Sequence, residues 1–184
     1  ELHIAAQYSR YDHAGDIFLT TETFWIVTKQ DDHWGVKFRS SFGGDNDADE
    51  AAKTKAESAA LRVLEQHIQA RNSRDSDGLA AANNYPHVLL KGGSFQTWNT
   101  PEDYVIYEET DIIPELDYSD WNRSEWGVIN VVQSGAFKVH LVAELRLFDV
   151  LNKKYETTKS FWVVTKVNEH WGIQGRSSFI KDTQ

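Results

Sequence analysis

The sequence predicts an α+β fold, and three observations carry that prediction. A long helical signal, a shorter one, a hairpin and another short helix precede a run of long strands. The connections between those strands are too short for parallel crossovers, so they are expected to be antiparallel. The chain also ends as it begins. Residues 20–42 and 157–179 align at a constant offset of 137 (157 − 20) without a gap, and 14 of the 23 positions are identical. The match extends back to residue 1, where residues 1–12 lie over 138–149 and share His, Ala and Asp. A period this long indicates two copies of one unit, not a solenoid.

Residues 2–9 alternate, with Leu2, Ile4, Ala6 and Tyr8 on one side and His3, Gln7 and Ser9 on the other. After a break at 12–16, residues 18–29 are rich in β-branched and aromatic side chains, 30–32 turn, and 33–42 run back. Three antiparallel strands are expected. Residues 43–49, GGDNDAD, form a polar linker and mark a boundary. Asp47 or Asp49 can then cap a helix with Glu50 in its first turn, and Ala56, Ala60, Leu61, Leu64 and Ile68 give it an apolar stripe. Residues 71–74 end it. A second short helix over 75–82 stops before Tyr85-Pro86, because the residue before proline avoids the helical region. Residues 87–90 and 94–98 flank Lys91-Gly92-Gly93 as a hairpin. Thr100-Pro101 starts a short helix through Tyr104 and Tyr107. Residues 111–122 read as an irregular acidic loop, followed by strands over 125–133, 137–148, 155–167 and 170–180.

Composition bounds the partners. The 184 residues are 40% hydrophobic and 26% charged, with no apolar run near the roughly 18 residues of a membrane span. Membrane insertion is not expected, and a cytoplasmic location is the default. The net charge of −9 argues against a nucleic-acid partner, whose phosphates select basic surfaces. With no cysteine, disulfides and thiolate chemistry are excluded. The His residues show no metal-binding spacing, no phosphate-binding glycine loop is present, and no cofactor is expected.

The helix AESAALRVLEQHIQARNSRDSDGLAAA, the hairpin HVLLKGGSFQTW with TPEDY after it, and the closing pair SFWVVTKVNEHWGIQGRSSF resemble nuclear transport factor two-like (SnoaL-like, cystatin-like) domains. The resemblance implies a cone: a curved antiparallel sheet wrapped around N-terminal helices, with a pocket in its mouth and, commonly, pairing through the sheets. It implies that residues 44–184 are a complete unit. Residues 1–43 are then a three-strand remnant of a preceding one, packed by its apolar face on the complete unit's sheet or paired with another chain. The fold hosts both enzymes and non-catalytic binding modules.

The resemblance places His87, after Tyr85 and Pro86, at the pocket mouth as a candidate general acid or base. The alternative is a histidine tying the hairpin to a backbone carbonyl. The strand HVLLKGG has no carboxylate, which argues against steroid-isomerase chemistry. His140, Glu144 and Arg146 share one strand face, as a proton-transfer set or as a solvated face with an ion pair. Tyr85, Trp98, Tyr107, Trp121 and Trp126 are candidate ligand contacts at the pocket, with core packing the alternative for Trp126 above all. Trp121, in the acidic stretch, is the one expected to touch a ligand or partner. Arg39 and Arg176 recur between the copies and can line the pocket or serve the sheet edge; His33 and His170 recur in a turn.

The sequence thus leads to a small-molecule-binding domain, with a lyase or isomerase acting by acid–base chemistry as its sharpest form. The other reading is a non-catalytic module with a filled pocket. The expected partners are an unidentified small molecule and either a homo-oligomer or an intramolecular pseudo-dimer.

Overall fold

Alternating side chains near the N-terminus become strands β1 (Leu2–Tyr11), β2 (Ile17–Gln30) and β3 (His33–Ser41), a separate antiparallel sheet ordered β1-β2-β3. The structure, a computed structural model, describes residues 1–43 and 48–178. Asp47, linker positions 44–47 and the end of the last expected strand (179–180) lie outside the described residues.

Helix α1 (Glu50–Ser73) begins at Asp49, whose carboxylate accepts from the Ala52 amide at 2.7 Å. It ends at Arg74, in the left-handed region at φ 55°. Ala56, Ala60, Leu64 and Ile68 are buried as the stripe requires, whereas Leu61 is exposed. Asp75 caps α2 (Ser76–Ala81). Strands β4 (Asn83–Lys91) and β5 (Ser94–Trp98) form the hairpin, and Thr100 caps α3 (Pro101–Tyr107).

The acidic stretch is not a loop. A π-helical turn (Glu108–Ile112) leads into α4 (Ile113–Tyr118). Pro114 falls in the first turn of α4, where its missing amide hydrogen is harmless, and acidic residues near helix N-termini are favoured by the dipole.

Four long strands follow: β6 (Trp121–Ser134), β7 (Lys138–Asp149), β8 (Lys154–Val167) and β9 (His170–Ser178). The sheet order is β5-β4-β9-β8-β7-β6. The consecutive long strands are antiparallel, as their short connections demand, while β4 lies parallel to β9. That pair is free of the short-connection constraint because β5 to β8 intervene in the chain.

The main core lies between α1 and the inner face of this sheet, where Ala56, Ala60, Val63 and Leu64 meet Val139, Leu141, Val164 and Ile173. At its edge, β9 crosses close to the start of β4. The Ile173 amide donates to Ala82 O at 2.9 Å, and a Cβ on Gly172 would stand 2.7 Å from the Asn83 carbonyl carbon.

The outer face of the same sheet carries the three-stranded one. Phe24 and Ile26 pack on Leu90, Phe161 and Val163. These contacts are related to one another by the offset of 137. Phe24 stacks on Phe161 with centroids 3.4 Å apart at 5°, and 24 + 137 = 161. His3 lies edge-on to Phe161 at 6.0 Å, and His140 edge-on to Phe24 at 5.9 Å, where 3 + 137 = 140. His140 Nε2 is 2.8 Å from Ser40 Oγ, and His3 Nε2 is 3.4 Å from Ser177 Oγ, where 40 + 137 = 177. Gln133 extends the seam, its side-chain amide donating to Thr23 O and Ala6 O while its Oε1 lies 2.9 Å from His140 Nδ1.

The inner face of the small sheet is bare among the described residues. Ile4 is 43% exposed where its counterpart Leu141 is 0% exposed, and Trp34 is 49% exposed.

Two predictions follow from these contacts. Gly172→Ala should destabilise the fold by about 1–3 kcal/mol, because strand backbone cannot swing away as a side chain can. Gly35→Ala, whose Cβ would meet only the His33 ring at 3.7 Å, should change stability by no more than about 0.5 kcal/mol in chemical denaturation.

Burial holds the His140 pKa at about 3, with Lys138 adding to the depression. Its neutral form therefore contributes stability that is full above the ordinary histidine value near 6.5. That stability is lost as pH falls from there toward 3, at up to about 1.4 kcal/mol per pH unit. His140→Gln should weaken the fold at pH 7 and flatten its stability–pH curve over that window; an unchanged slope would show that the seam is not the acid-sensitive element.

Candidate functional site

Farther along α1 the stripe changes character. His67 and Arg71, four residues apart, share one helical face and point it into a cavity of about 610 Å³ between the helix and the curved sheet. The sheet supplies apolar wall from Trp126, Leu145, Leu147 and Trp162, and Arg176 from β9. Arg176 and Trp162 are cross-strand partners, and the guanidinium lies 5.5 Å from the indole centroid, a cation–π contact that props it toward the cavity. Trp126 is fixed by donation from Nε1 to Leu64 O at 3.0 Å and stands edge-on to Trp162. Tyr107 and Ile112 contribute from the helical segment after β5.

His67 is buried and edge-on to Trp162 at 5.3 Å. Desolvation holds its pKa well below the ordinary value, and the positive charges of Arg176 and Arg71 push it the same way. The ring is therefore neutral at pH 7, and its Nδ1 meets no hydrogen-bond partner. Arg71 is lowered too, first by burial and then by the like charge of Arg176. The Nε atoms of both arginines are buried and unpartnered.

A second polar cluster, formed by Asn83, His87, Tyr104 and Glu108, is buried within the fold, and each member has an unpartnered side-chain atom. Glu108 is only 1% exposed. Tyr104 packs against the His87 and Trp98 rings, and burial raises its pKa. Among the described residues no group of three or more His, Asp or Glu is placed to hold a metal ion.

Of the residues singled out in the sequence, Tyr107, Trp126 and Arg176 line the cavity. His87 does not. Its Nδ1 donates to Ile173 O at 2.9 Å, tying the hairpin strand to β9, and burial, reinforced by Arg176, holds its pKa at about 3. Trp98 is buried among His87, Tyr104 and Tyr107 rather than on the wall. Tyr85 donates to Ala80 O at 3.0 Å, and burial raises its pKa to about 12.

Trp121 is buried, not presented to a partner: Nε1 donates to Ser124 Oγ, and Arg74 lies over its ring. His140 and Glu144 are on the outer face. The first lies in the seam between the sheets, and the second is ion-paired with Arg146 and Lys159.

His67 and Arg71 were not singled out in the sequence. The signal available was their register: 56, 60, 64, 67 and 71 follow one helical stripe, so two polar side chains continue a buried face.

No known family's sequence pattern matches the chain, and no curated protein matches it in sequence. Solved structures do match in shape. An NTF2-like protein with a cystatin-like fold from Novosphingobium aromaticivorans is 10% identical at a TM-score of 0.58, over 71% of this chain and 85% of that one. A domain of unknown function with a cystatin-like fold from Nostoc punctiforme is 20% identical at 0.52, over 71% and 80%. Hexachlorocyclohexane dehydrochlorinase LinA-type3 from Novosphingobium barchaimii is 12% identical at 0.54, over 71% and 90%. At these identities the likeness carries the fold and nothing finer: the chain has the NTF2-like, cystatin-like fold.

Proposed function

We propose that the chain binds a small molecule in the cone cavity and that neutral His67 takes a proton from it, as in a lyase or isomerase. The observation that supports this best is the cavity itself. It is not filled by Trp and Phe side chains, and its wall holds a neutral imidazole with an unpartnered ring nitrogen beside two guanidinium groups. The neutral imidazole has a lone pair with which to accept a proton, although burial and the two adjacent cations make it a weak base; those same cations stabilise the negative charge that proton abstraction leaves on the substrate. One of the structural neighbours, the dehydrochlorinase, is an enzyme on the same fold.

Saturation-transfer NMR with a mixture of small cyclic and aromatic compounds should detect binders to the full chain. Binding should vanish when Leu145→Trp fills the cavity; hits that persist in that variant would place the ligand elsewhere. For a substrate found this way, His67→Gln should slow turnover about 10²–10⁴-fold while leaving Kd within about threefold. Because the pKa is depressed, the acid limb of the rate profile should lie below pH 6.5.

We further propose that residues 1–43 are the sheet of a preceding unit that stands in for a second protomer. The reciprocal contacts at offset 137 support this, since a two-fold interface places residue i on j and j on i. The full chain should then sediment as a monomer. Phe24→Asp should undock the small sheet and raise the dimer fraction through the freed outer face. Phe161→Asp, which damages that face itself, should not. A folded Phe24→Asp chain that stays monomeric at high concentration would rule the reading out.

A further inference from the structure

Two partly buried cations, each with a buried Nε, share the cavity wall without a counter-ion. Among the described residues neither Arg71 nor Arg176 has a carboxylate within ion-pair distance, and the Nε of each lacks any partner. The nearby charges do not alter this balance. Glu108 favours the charged form of Arg71 from a distance without pairing with it. Glu156 and Lys91 also line the cavity and oppose one another in sign. A buried guanidinium left unneutralised is unfavourable, and two together more so, so the site is poised to take an anion. A guanidinium also has a planar donor fork that matches a carboxylate in shape.

We infer that the ligand is a carboxylate carried on an aromatic or alicyclic body, with its anionic head at Arg71 and Arg176 and its ring against Trp126, Leu145 and Leu147. This rests on the cavity being the ligand site. The body must be apolar because the rest of the wall offers mainly indole and leucine surface, which favours a ring stripped of water. The head must be at the arginine end because, along the cavity wall, it is the arginine Nε donors that are buried without partners. The same placement brings the ligand beside His67, whose Nδ1 is unpartnered, and the arginine pair would also stabilise an enolate formed next to the head.

The test is calorimetric titration of the full chain with 2-naphthoate and with 2-naphthamide, which share a ring system and differ in charge. The acid should bind about ten-fold or more tightly than the amide, with the difference shrinking in added salt. Arg176→Gln should weaken the acid by a similar factor and leave the amide within about two-fold. Arg71→Gln, checked by circular dichroism, serves as the second variant should the first fail to fold. Equal binding of acid and amide would overturn the inference while leaving the cavity as a ligand site. Binding of neither would overturn both.

Discussion

The packing of α1 on the concave sheet is the contact on which the rest of the molecule depends. Along its first half the helix offers Ala56, Ala60, Val63 and Leu64, and the inner face answers with Val139, Leu141, Ala143 and Ile173. Small residues let the helix sit close, and a dry core follows. Along its second half the same register offers His67 and Arg71, and the space beside the sheet stays open as the cavity. One helix therefore divides the cone into a sealed end and an open end walled partly by polar side chains. The division is anchored where Asn72 exchanges two hydrogen bonds with the Ser124 backbone and where Trp126 donates to Leu64 O.

The repeat shows how much of a strand's role is set by what lies over it. Leu2, Ile4, Trp25 and Val27 correspond to Val139, Leu141, Trp162 and Val164, yet only the second set is sealed under a helix. Gly35 and Gly172 correspond too, but only Gly172 has a neighbouring strand backbone so close that a Cβ would collide. Arg39 is exposed, and Arg176 lines a cavity. The outer faces behave differently, because each copy covers the other. Phe24 with Phe161, and His3 with His140, are buried by a contact that both sequences supply.

The polar interior is held at neutral pH mainly by keeping histidines uncharged. His67, His87 and His140 all have depressed pKa values, with desolvation the largest cause in each. Their surroundings separate their roles. His87 and His140 are tethered by hydrogen bonds to Ile173 O and to Gln133 and Ser40 respectively. His67 lines a cavity and is the one whose Nδ1 has no partner.

The element order was legible in the sequence because its signals are local. Asp49 and Thr100 cap their helices, α1 carries its stripe, and the strands after residue 120 alternate or run apolar. The acidic stretch reads as a loop in sequence because Pro114 looks like a breaker, yet it falls in a first helical turn. The candidate site was legible only at Tyr107, Trp126 and Arg176. His87, Trp98 and Trp121 carry the right chemistry, but burial gives their polar atoms to the protein or leaves them enclosed. Discounting what both copies share would also have hidden Arg176 and Trp162, which are scaffold in one copy and cavity wall in the other. The sequence by itself determined the elements, the duplication and which strand faces are apolar, since periodicity and capping act over a few residues. Tertiary structure alone decided which apolar face received a helix, that β4 lies parallel to β9, and that His67, Arg71 and Arg176 meet at one cavity. Those outcomes depend on residues about a hundred positions apart, and no local pattern encodes their distance.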